Sequence, residues 1–158
     1  MSFSEARQIS LPASVALLGL IAVGLAGCAA GSPTLAKRDG ETIAFKVCAS
    51  IEADSIVVSR IDKPATREAT VTVVWEASSI AGSLEAGTVV ILGEAPPGYQ
   101  VTVPFIEGTV DLTKDALFFT LRDTGGRNDV GQFYLSEVVG ESWTDTNGKR
   151  LAGESCDR

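Results

Sequence analysis

The chain of 158 residues contains no histidine, and that absence narrows its chemistry more than any residue present. Ser-His-Asp and Cys-His catalysis, histidine-ligated zinc or copper, and a histidine pH switch are all excluded. Ser78, Ser79 and Ser83 cluster around Gly82 without a Gly-x-Ser-x-Gly elbow, and no motif supports a Ser-Lys arrangement through Lys46, Lys63 or Lys114. With 20 Asp and Glu in the chain, carboxylate pairs arise by chance, and no spacing selects one for glycosidase-type acid–base work. Asp123, Asn128 and Asp129 in one stretch, and Asp145 with Asn147 in another, invite a calcium reading. Calcium takes about six to eight oxygens, and Asp145-Thr146-Asn147-Gly148 is only a fragment of an EF-hand pattern, followed by Lys149-Arg150. Turns need Gly, Asn and Asp for backbone reasons, so turn chemistry is the expectation, with no metal and no cofactor.

Two aromatic residues are candidates for contact. Tyr134 and Trp143 could present rigid rings to a sugar or a protein, whereas Trp75, inside an alternating run, reads as core. The 13 Lys and Arg leave a net charge of −7, which argues against nucleic acid, whose affinity depends on cations neutralising phosphates.

Of the three cysteines, Cys28 stands apart. It follows an uncharged apolar stretch from Leu11 to Gly27, with only Glu5 and Arg7 as charges before it, as in a secretory signal peptide. The stretch closes with Leu25-Ala26-Gly27-Cys28, which resembles the lipobox of bacterial lipoproteins. That resemblance implies cleavage between Gly27 and Cys28, a lipid on the Cys28 sulfur, and a membrane as first partner, with an envelope protein or polysaccharide as a further one. Two or more acyl chains give a stable anchor at about 0.8 kcal/mol per buried methylene. An uncleaved transmembrane segment is the alternative, since the run from Ile9 to Ala36 is uncharged and long enough to span. In either case the remainder sits outside the cytoplasm.

Cys48 and Cys156 remain, and two cysteines in an exported domain are expected to pair. Closing a loop on the order of a hundred residues contributes about 4–5 kcal/mol in the chain-entropy model.

The elements that must position these groups read as strands. Period-two alternation marks Thr42–Ala49, Ser55–Ile61, Ala69–Ala77, Tyr99–Phe105, Ala116–Arg122 and Gln132–Val139. Thr88–Leu92 is apolar on both faces and reads as a central strand; Val110-Asp111-Leu112 is a further short run. Ser78–Ala86 is the one plausible helical turn, Pro104 marks an edge or a strand end, and Asn147-Gly148 signals a hairpin. Three segments are expected: a signal peptide over 1–27, a lipidated cysteine and flexible tether over 28–41, and a domain over 42–158. The strand count predicts an all-β fold, an antiparallel β-sandwich of immunoglobulin-like architecture. Two functional classes remain open, a binding or structural module and a small histidine-independent hydrolase of envelope polymers.

Overall fold

The structure, a computed structural model, describes residues 34–62, 69–126, 128–153 and 156. The Leu25-Ala26-Gly27-Cys28 pattern lies outside these residues. Among the described residues there are ten strands, no helix and three antiparallel sheets.

Strands β1 (Thr34–Asp39) and β2 (Thr42–Val47) form a hairpin that turns at Gly40, whose φ of 59° suits a residue without a Cβ. β7 (Val89–Ile91) pairs with the other side of β2, giving the order β1-β2-β7. The five-stranded sheet is centred on β4 (Ser55–Asp62), between β5 (Thr70–Ser78) and β9 (Ala116–Arg122). Its edges are β8 (Gln100–Val103) and β10 (Asn128–Tyr134). β3 (Ile51–Glu52) and β6 (Ser83–Leu84) make a short pair.

One core joins the two larger sheets. Phe45 from β2 stacks on Phe119 from β9 at 4.5 Å between centroids and lies 5.8 Å from Phe133 of β10. Trp75, Ile56, Val58, Leu117 and Leu121 complete it, all buried. Each such side chain contributes about 1.5–3 kcal/mol on burial. Ile56, Val57 and Val58 are buried on both faces of β4, as befits the middle strand.

Four expectations need correction. The stretch read as a tether over 28–41 contains β1: Thr34, Leu35 and Ala36 are buried and only residues 28–33 lie outside the described part. The charges that made this stretch look solvated are used by the fold. Lys37 lies over the Trp143 ring, and the Arg38 guanidinium donates to the Leu112 carbonyl at 3.1 Å. Ser78–Ala86 forms no helix; Ser83 and Leu84 pair with Ile51 and Glu52 instead, and Leu84 is buried. β7 is an edge strand rather than a central one, its second apolar face being covered by the tail of the chain. The final strand lies earlier than its apolar pattern suggests, ending at Tyr134, while Leu135 and Val138 fill the core from a turn closed by Tyr134 carbonyl bonds.

The tail forms a second, smaller cluster on the outer side of the three-stranded sheet. Trp143 packs with Leu35, Ala44, Ile91 and Leu151, and Thr144 bridges Ala36 and Arg150. Cys48 and Cys156 are disulfide-bonded there, with Cα atoms 5.5 Å apart across a separation of 108 residues.

Candidate functional site

β1 runs from Thr34, where the chain enters the domain, to Asp39 at the opposite end, about 17 Å away at roughly 3.3 Å per residue. These two ends, near and far, are built differently.

The near end is plugged. Tyr99 is 8% exposed and its hydroxyl donates to the Ala53 carbonyl at 2.6 Å, while the Ala53 amide donates to Gly82. Gly82 sits so close to Ala53 and the Tyr99 ring that a Cβ there would overlap both. Burial, and secondarily the nearby Asp54 carboxylate, push the Tyr99 phenol above its ordinary value of 10.0. A cavity of about 330 Å³ flanks this end, bounded by Val47, Ile51, Leu121, Glu52, Asp123 and Asp129.

The far end is open. A groove of about 770 Å³ runs between the β1–β2 turn, the end of β7 and the loop over 105–112. Its floor is formed by Ile43 and Leu92, both buried, and by the partly buried Phe105, Val110 and Leu112 at the edge of the core. Gly93, with φ of 98°, lets the chain leave β7 and lie against Phe105.

The loop that walls the groove is held by named bonds. Arg38 reaches the Leu112 carbonyl and Arg60 the Thr109 carbonyl, with Asp62 accepting the second Arg60 nitrogen at 2.9 Å. Buried Asp115 accepts the Asp111 amide at 2.7 Å, and the Asp111 carboxylate accepts from both the amide and the hydroxyl of Thr113. The Lys114 ammonium pairs with Asp111 at 2.9 Å. The Thr113 hydroxyl, then the Lys114 bond, hold the Asp111 carboxyl well below the ordinary carboxylate range. Cations close to the groove are thus directed into its wall.

On the rim stand Glu41, Glu94 and Glu107, all exposed, from three separate segments. Among the described residues none of the three has an ion-pair partner. Glu41, Glu94 and Glu107, with the Lys114-paired Asp111, line the groove together with its apolar floor, and no Lys or Arg is among its lining residues. Such a site can hold a ligand by apolar burial and by opposite charge.

The two rings expected to form a surface do not share one. Tyr134 ends β10 and is 38% exposed, whereas Trp143 is only 4% exposed. Trp143 is covered because Leu35, assigned to a tether by its sequence context, belongs to β1 beneath it. The Lys37 and Lys46 ammonium groups lie 5.1 and 5.4 Å from its ring centroid, contacts worth about 0.5–1 kcal/mol each at an exposed site. The acidic stretches serve turns. The Asp145 carboxylate accepts the amides of Asn147 and Lys149, both at 2.9 Å, and the Asn128 amide donates to the Gly126 carbonyl. Ser78 donates to Glu76, and Ser79 donates its amide to Asp54. The groove itself went unread in the sequence, because its rim comes from residues scattered between positions 41 and 111; the high density of Gly, Pro and acid over 93–111 is the one signal that could have drawn attention.

Comparison with protein-family models, with curated proteins and with solved structures finds no match to this chain.

Proposed function

We propose that this chain is a lipid-anchored extracytoplasmic lipoprotein of the bacterial envelope whose domain is a binding module. Its two larger sheets are read as the layers of an immunoglobulin-like β-sandwich, and its far-end groove as the working site. The anchor would be a lipid on Cys28, after cleavage between Gly27 and Cys28.

The observation that carries the reading is the polarity of the domain. Thr34 follows Cys28 by six positions, a span of at most about 20 Å when fully extended. An anchor at Cys28 would attach at the plugged near end, leaving the open groove at the end farther from the attachment point, toward whatever the envelope presents. An open apolar floor with a charged rim suits holding a ligand; the buried, convergent groups that a hydrolase needs are better supplied by a closed cleft.

Metabolic labelling with an alkyne fatty acid tests the anchor. Wild type should be labelled, and Cys28→Ser should be unlabelled and remain as the uncleaved precursor. Equal labelling of the two would overturn the reading.

A further inference from the structure

We infer that the far-end groove is a docking site for a basic amphipathic peptide segment, one that joins Lys or Arg to an apolar side chain. This rests on the reading of the groove as the working site, and deepens it by naming the partner's chemistry.

Three observations converge on that occupant. The floor joins the buried Ile43 and Leu92 to the partly buried Phe105, Val110 and Leu112 at the edge of the hydrophobic core, and the groove over it has a volume of about 770 Å³, room for apolar side chains. The rim carboxylates Glu41, Glu94 and Glu107 come from three segments that line the same groove, and they have no cation paired with them among the described residues. The cations that could have neutralised them are committed elsewhere. Arg38 and Arg60 donate to the loop carbonyls of Leu112 and Thr109, and Lys114 is held by Asp111. A purely apolar ligand would leave the rim charges unmatched, and a purely cationic one would leave the floor wet. A peptide bearing both kinds of side chain satisfies both, with like-charged partners disfavoured.

The test uses the full chain in its solubilised membranes and a synthetic peptide of alternating lysine and photoreactive diazirine-leucine. After irradiation, adducts are mapped by mass spectrometry, so that peptide taken up by detergent does not register. The inference expects adducts on Phe105, Val110 or Leu112, and a loss of yield on the order of tenfold when Glu41→Gln, Glu94→Gln and Glu107→Gln are combined. A matched near-end triple, Glu52→Gln, Asp129→Asn and Glu85→Gln, the last a carboxylate that accepts the hydroxyl of Ser50 in the near-end cavity wall, removes the same charge and should leave the yield unchanged. Adducts outside the groove, equal losses in the two triples, or equal labelling by a glutamate–leucine peptide would each overturn the inference. Fatty-acid labelling of Cys28 in the same preparation separates the outcomes. A labelled Cys28 with no groove adduct defeats the peptide inference alone, whereas groove adducts on an unlabelled chain defeat the anchor alone.

Discussion

The near and far ends of the domain use similar residues to opposite effect. At the near end a tyrosine and a glycine meet: Tyr99 fills the end of the core and Gly82 makes the room for it. At the far end a glycine again sits beside a ring, Gly93 against Phe105, but the loop over 105–112 is tied to the strands by Arg38 and Arg60 and a groove remains between them. A ring wedged against the backbone closes one end, and a loop braced by arginines borders a groove at the other. Apolar side chains are present at both ends.

The contrast can be broken most strongly at the near end. Cys48 directly follows β2 there, and its disulfide to Cys156 pins the tail over Leu35 and Trp143. Reduction, or Cys48→Ser with Cys156→Ser, should lower stability by about 2–5 kcal/mol, read by denaturant unfolding. Native protein should show no free thiol at these positions under denaturing, non-reducing conditions. Gly82→Ala comes next. Its new methyl would overlap the Ala53 carbonyl and the Tyr99 ring, so a loss of about 1–3 kcal/mol is expected from the same measurement.

Smaller effects sharpen the picture. The Thr144 hydroxyl is buried without a hydrogen-bond partner, so Thr144→Val should leave stability unchanged or raise it by up to about 1 kcal/mol. Combined Glu41→Gln, Glu94→Gln and Glu107→Gln should stay within about 0.5 kcal/mol of wild type in thermal melts, because these rim carboxylates support no bond of the fold.

Titration distinguishes the ends as well. Asp111 at the far end has its pKa lowered below its ordinary 3.8, so its contribution is present above that value and is lost as pH falls below it. Acid melts of Asp111→Asn should therefore decline less steeply than wild type below about pH 4. Tyr99 at the near end is shifted the other way. Its contribution is present below pH 10.0 and is lost as pH rises toward the raised value, so Tyr99→Phe should flatten the alkaline limb.

Much of the sheet structure was legible because strand alternation is a local pattern. Leu117, Phe119 and Leu121 in β9 announce their period directly, whereas in β5 a bulge opposite Val58 and Ser59 breaks the expected alternation, leaving Val71 and Val73 exposed and Val74 and Trp75 buried. β1 was not legible. Only Leu35 and Ala36 of its six residues are apolar, and Lys37, Arg38 and Asp39 look solvated until Trp143 and Leu112 are seen to receive two of them. The same long-range pairing hid the burial of Trp143. The Cys48–Cys156 bond was legible by count, since only two cysteines remain once Cys28 is set aside. The groove was not, because its floor and rim come together only when strand pairing carries position 41 beside positions 94 and 107.

In the lipid-anchored protein proposed above, the near end faces the bilayer and the far end faces away. Ile80, fully exposed on a near-end loop, and Glu107, on the far rim, can each be replaced by cysteine and labelled with a fluorophore in the lipidated chain reconstituted into vesicles. With a quencher attached to the lipid headgroups, the label at 80 should be quenched strongly and the label at 107 hardly at all. Equal quenching at the two positions, or stronger quenching at 107, would contradict that orientation.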